Sequence, residues 1–141
     1  MKNTFRSNCP VASMLDIIGD KWSLLIVRDM ILMHKKTFKE ISRSDEKIAP
    51  SILSARLKLL EFYGIISRTK LPHNKKENIY LLTERGIDLA PIVIECALWG
   101  GTHLQTFNDI GTLDSTFATN KLHAIENIKN HYNAMTAQLM Q

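Results

Sequence analysis

At 141 residues, 45% of them hydrophobic and 23% charged, with a net charge of +4, the chain holds enough apolar material for one domain with its own core, which excludes a disordered tail or a disulfide-held miniprotein. Cys9 and Cys96 match no zinc spacing and are expected to remain thiols in a reducing cytosol. The apolar run after Lys2 and Arg6 is broken by Asp16 and Asp20, so no secretory signal core forms; residues 89–107 contain Pro91, Glu95, a Gly100-Gly101 pair and His103, which suits a buried helix rather than a membrane span, and a cytoplasmic location is expected.

Pro10 suits the first turn of a helix capped from Ser7, Asn8 or Cys9, along which Val11, Met14, Leu15 and Ile18 recur at helical spacing up to Gly19. Trp22 opens a second apolar helix through Leu25, Ile26, Met30 and Met33, closed by the polar run His34-Lys35-Lys36. A short third helix over Phe38–Ser42 turns Phe38 and Ile41 inward and Lys39 outward. The loop 43–47 leads to a fourth helix that begins at Pro50 and stops at Gly64. Residues 65–71 and 78–82 are rich in β-branched, aliphatic and aromatic residues and flank Pro72-His73-Asn74-Lys75-Lys76-Glu77, which predicts a β-hairpin with a six-residue basic tip. Thr83 caps the next helix, where Leu89, Ile92, Val93, Cys96 and Trp99 form one stripe with a kink at Pro91. Residues 108–120 read as a connecting loop, and a last amphipathic helix carries Leu122, Ile125, Ile128, Tyr132, Met135 and Leu139.

The fourth helix is the most informative segment. Leu53, Leu57 and Leu60 repeat at the spacing of an inward face, while Ser51, Ser54, Ala55 and Lys58 share the opposite side. Such a slim face, with one cation, fits a major groove, where small hydroxyls and a methyl reach base edges; an ordinary surface face is the other reading. Charge along the chain bears on the choice. Residues 35–76 hold eleven Lys or Arg against four Asp or Glu, whereas residues 77–141 hold three against seven. A basic block of this kind suits a polyanion, because each phosphate it neutralises releases counterions. The order helix, helix, helix, recognition-like helix, hairpin, helix is the winged helix-turn-helix plan: mainly α with a small β-hairpin wing, its cations concentrated on the groove-facing parts.

The run CPVASMLDIIGDKWSLLIVRDM at positions 9–30 resembles the opening signature of the HxlR-type transcriptional regulators, winged-helix proteins related in plan to the MarR group. TFKEI at 37–41, ILSARLKLLE at 52–61, GIISR at 64–68, IYLLTERG at 79–86 and the segment 91–100 follow in that family's order, so the resemblance covers roughly residues 5–105. It implies a homodimer on operator DNA, paired through its terminal helices, with Val11, Met14, Ile92, Cys96 and Trp99 as interface residues. It also implies a DNA-binding domain over residues 1–106, followed by a linker and amphipathic helix over 107–141 that extends the dimer contact or packs on its own subunit. Two departures keep an operator sequence from being carried over: Ser51 stands where the family often has a basic residue, and His73-Asn74-Lys75-Lys76 where it often has a proline-rich wing.

By position in the motif, Ser51, Ser54, Ala55 and Lys58 are the residues for base edges, with Arg56 tied to a phosphate or an acidic neighbour. Lys36, Lys39, Lys75 and Lys76 are assigned to phosphates, and His73, Asn74 and the two wing lysines to the groove beside them. Cys9 opens a helix near Arg6 and Lys21; in part of the family a cysteine here senses oxidants or electrophiles, and a packing thiol is the alternative. Cys96 reads as core, and Trp22 and Trp99 as core or interface anchors. The five histidines, at 34, 73, 103, 123 and 131, form no metal-binding pattern. Without a phosphate loop, nucleophile elbow or acid/base pair, neither a cofactor nor an enzyme is expected. A winged helix that meets an acidic protein in place of DNA is the rival, and it would carry a large apolar anchor on the face of Ser51, Ser54 and Lys58.

Overall fold

Start and stop signals set most element boundaries. In the computed structural model, which describes residues 5–141 and so leaves Lys2 outside, Pro10 and Pro50 each occupy the first turn of a helix, where a missing N–H costs nothing. The chain runs α1 (Pro10–Ile18), α2 (Ser23–Leu32), α3 (Phe38–Ser42), α4 (Pro50–Phe62), β1 (Ile66–Leu71), β2 (Asn74–Leu82), α5 (Glu84–Ile87), α6 (Ala90–His103), α7 (Ser115–Thr119) and α8 (Lys121–Leu139). Thr37 and Glu40 close a reciprocal capping box on α3, and the Thr83 hydroxyl accepts the Gly86 N–H at the start of α5. After α4, Gly64 turns the chain with φ +71°, a left-handed conformation that favours glycine.

Leu53 and Leu60 of α4 are fully buried and Leu57 is 2% exposed, against Ile26, Val27 and Met30 of α2, Ile66 and Leu82 of the hairpin, and Val93 and Ile94 of α6 in one core. Trp22 packs half-buried against that core. The hairpin pairs β1 with β2 antiparallel, and Thr37 adds an isolated bridge to Ile79, where the Tyr80 N–H donates to the Lys36 carbonyl at 2.7 Å. α8 folds back onto its own subunit against α2 and α6. Its Tyr132 hydroxyl accepts the buried Leu82 N–H at 2.8 Å, and its His131 ring meets His34 at 5.2 Å.

Five expectations need correction. β2 begins at Asn74, so Asn74, Lys75, Lys76 and Glu77 lie in the strand and the turn shrinks to Pro72 and His73; backbone pairing continues through residues of poor strand propensity because their side chains stay in water. Pro91 does not kink a continuous helix: α5 ends at Ile87 and α6 restarts at Ala90 with the proline in its first turn. Residues 108–120 are not all loop, since Asp114 caps the short helix α7. Leu122, expected on the inward stripe of α8, is 83% exposed, because α8 reaches the core only from Ala124 onward. Cys96 is exposed, not core: α6 is apolar on several sides and buries Ala90, Val93 and Ile94 instead.

Candidate nucleic-acid interface

The outward side of α4 is set by its inward leucines. Ser51, Ala55 and Lys58 are exposed and Ser54 is half-buried, so the four share the surface opposite the core. Arg56 is diverted from it: the guanidinium lies 3.5 Å from Asp20, which links α4 to the start of α2. Burial works against the Asp20 carboxylate, but the Ser23 hydroxyl, the Trp22 and Ser23 N–H groups and Arg56 together hold its pKa below the ordinary value. The acidic neighbour foreseen for Arg56 is Asp20.

The loop ahead of α4 is pinned by charge. Arg28 donates two bonds to Glu46, at 2.7 and 3.2 Å, and two more to Asp29, which is 1% exposed and also receives Lys35. Arg28 first, then the Ser44 hydroxyl, bring the Glu46 pKa down to about 2 against a small opposing effect of burial. Lys47 takes φ +58° in the same loop, and the chain enters α4 three residues later at Pro50. The sequence reading missed this network, because Arg28 and Glu46 stand 18 positions apart.

Around α4 the cations differ in freedom. Lys39 on α3, Lys58 on α4 and Lys75 and Lys76 on β2 are exposed, and among the described residues none of them makes an ion pair. Lys36 is half-buried and its ammonium reaches the His34 carbonyl at 3.4 Å, so it is more restrained than a phosphate ligand need be. His73 is exposed in the turn, and the Asn74 side chain accepts the Lys76 N–H at 3.2 Å, shaping the tip. Arg68, Lys70 and Lys75 surround a shallow concavity on the hairpin. Arg68 and Lys70, together with exposed Arg43, Lys47 and Ile52, are additions to the sequence-derived set; the i, i+2 spacing of Arg68 and Lys70 was the available signal.

Val11 and Trp99 are 62% and 59% exposed, large apolar groups left in water by the single chain, while Met14 and Ile92 are half-buried. Cys9 is exposed at the N-cap of α1, its N–H bonded to the Ser7 hydroxyl. Both neighbouring cations are engaged elsewhere, Arg6 with Asp16 and Lys21 over the Trp22 ring. Among the described residues no group of three or more His, Cys, Asp or Glu could hold a metal ion, and no helix is long and apolar enough to cross a membrane.

The family model for the HxlR-like helix-turn-helix matches residues 17–108. The helix-turn-helix-type transcriptional regulator YybR of Bacillus subtilis is 37% identical over 95 residues, 67% of this chain and 75% of its own length. Among solved structures, PA1607 superposes with a TM-score of 0.66 at 33% identity, over 77% of this chain and 73% of its own. The redox regulator HypR in its oxidised form gives 0.59 at 36% identity, over 67% of this chain and 97% of its own. With the exposed face of α4, the lysine-bearing hairpin and this agreement in sequence and fold, the chain belongs to the HxlR-like helix-turn-helix family and is a DNA-binding transcriptional regulator, not an enzyme.

Proposed function

We propose that two copies of the chain pair through their terminal helices and set their α4 helices into major grooves of an inverted repeat, about one turn or ~34 Å apart. One observation carries the reading: α4 turns a serine, alanine and lysine face outward while Leu53, Leu57 and Leu60 are buried, and lysines that make no ion pair among the described residues lie on the elements beside it. Ser51, Ser54, Ala55 and Lys58 reach base edges. Lys39, Lys75 and Lys76 bind phosphates, with Lys36 in support, and His73 and Asn74 shape the wing tip against the adjoining groove. Val11, Met14, Ile92, Cys96 and Trp99 supply the contact between copies, which would cover the apolar groups that the single chain exposes. Residues 1–106 act as the DNA-binding unit and 107–141 as an appended segment, and the protein works in the cytoplasm.

Cys9 is the residue through which oxidants or electrophiles would act. Its exposure and the likeness to a protein described as a redox regulator support this role, although the family match begins only at residue 17. Diamide or a quinone should change operator affinity, and Cys9→Ser should abolish the change; a Ser variant that responds like the parent ends the sensor role.

The DNA interface is tested by fluorescence anisotropy against salt, on a fragment chosen by genomic footprinting. Lys75→Ala combined with Lys76→Ala should weaken every DNA alike and lower the salt slope by about 0.9 per lost phosphate contact. An unchanged slope removes the wing from the interface. Binding to an acidic protein with no preference for any DNA fragment would favour an interaction module instead.

A further inference from the structure

A cavity of about 540 Å³ opens at the far end of α4 from Ser51, between α1, the start of the hairpin and the corner joining α5 to α6. Met14 and Ile17 of α1, Phe62 of α4, Ile65 and Leu89 form its apolar walls, and its size falls within the ~300–1,000 Å³ of small-molecule sites. An aromatic side is built in: Phe62 meets Tyr63 edge-on at 5.1 Å, and Phe5 stacks over the same ring at 6.2 Å. Such surfaces take up a planar ring or an alkyl chain.

Among the described residues, Arg85 is the single ionised side chain in this lining. Its Nη1 donates to the Tyr63 carbonyl at 2.7 Å, which holds the guanidinium at the mouth. Most of its five N–H donors then have no protein acceptor among the described residues. Gly64 eases the approach, since a Cβ there would come within 3.2 Å of Nη1, closer than ordinary van der Waals contact. One cation above an apolar chamber specifies charge as well as shape. A neutral ligand leaves the guanidinium unused, and a dianion or zwitterion strands a second charge against hydrocarbon. The planar fork matches a carboxylate in particular.

We propose that this cavity binds a small aryl- or alkyl-bearing monocarboxylate, its apolar body against Met14, Ile17 and Phe62 and its carboxylate on Arg85. The site shares no residue with the DNA-contacting set and so does not rest on that assignment; Met14 is shared with the proposed contact between copies, and the dependence of binding on protein concentration separates the two occupants.

Calorimetric titration of the full chain with 4-phenylbutyrate and with 4-phenylbutan-1-ol tests it. The acid should bind about tenfold or more tightly than the alcohol, the factor expected of a charge-assisted contact. Arg85→Met should bring the acid down to the level of the alcohol without changing the alcohol. Ile17→Trp, which fills the chamber, should remove both. If that variant melts early, the acid-to-alcohol ratio in the parent and in Arg85→Met still decides. No saturable binding, equal affinity for acid and alcohol, or an acid preference that survives Arg85→Met overturns the proposal. So does binding lost as protein concentration rises, which would mean that a second copy fills the cavity.

Discussion

The front of the molecule, from α3 through the hairpin, and its back, from α6 through α8, treat charge in opposite ways. On the back, Lys121 pairs with Glu95 and Lys129 with Asp88 at 2.8 Å, so local acids already satisfy these cations. On the front, Lys39, Lys58, Lys75 and Lys76 are exposed and, among the described residues, make no ion pair, whereas its arginines Arg56 and Arg68 face Asp20 and Glu61, and Arg28 on α2 beneath them is held by Glu46 and Asp29. The lesson is that an excess of basic residues locates a polyanion site only coarsely. Pairing separates the cations that brace the fold from those left for an outside anion. Exposed pairs contribute little to stability, so leaving the front lysines unpaired costs the fold little.

Four measurements bear on that contrast. The largest effect belongs to the front's support: Leu57→Ala should cost about 2–5 kcal/mol in chemical denaturation, since it leaves a hole among buried neighbours. A loss below about 1 kcal/mol would mean that the two faces of α4 have been assigned the wrong way round. Next, Tyr132→Phe strands the buried Leu82 N–H and should cost about 1–3 kcal/mol, because the back helix closes the base of the hairpin through that one hydroxyl. An unchanged denaturation midpoint would show that α8 does not brace the wing.

The third measurement compares lysines directly. Lys39→Ala should lower the salt slope of DNA binding by about 0.9 while changing stability by no more than about 0.5 kcal/mol. Lys129→Ala should leave the slope alone, and equal slopes for the two variants would erase the front-to-back distinction. The smallest effect concerns pH. The Glu46 pKa falls from 4.5 to about 2 on folding, so between those values the unfolded chain takes up the proton first. The stability that Glu46 contributes is therefore complete above pH 4.5 and is lost as pH drops through that window. Solvent around a carboxylate that is 37% exposed keeps the loss small. Urea midpoints should decline less steeply with acid in Glu46→Gln than in the parent, and parallel curves would dismiss the Arg28–Glu46 brace.

Much of α4 was readable beforehand. Pro50 at its start, Gly64 after its end and the Leu53, Leu57, Leu60 repeat all act within a turn or two of themselves, so their neighbours in sequence are their neighbours in space. The short helix α3 and the Thr83 cap were legible for the same reason. The hairpin was foreseen but its turn was not, because Asn74, Lys75 and Lys76 have weak strand preference and are held in β2 by pairing with β1.

Residue order alone thus specified a helical chain with one hairpin, the small outward face of α4 and a basic middle third, since each depends on backbone sterics, periodicity or composition within a short stretch. Packing settled what those signals leave open. It chose which side of the apolar helix α6 is covered, exposing Cys96 and Trp99; it drew Arg56 to Asp20 and Arg28 to Glu46; and it set Arg85 beside Gly64 over an open chamber. These outcomes depend on groups distant in sequence that meet only when the core closes, and a local pattern carries no information about such meetings.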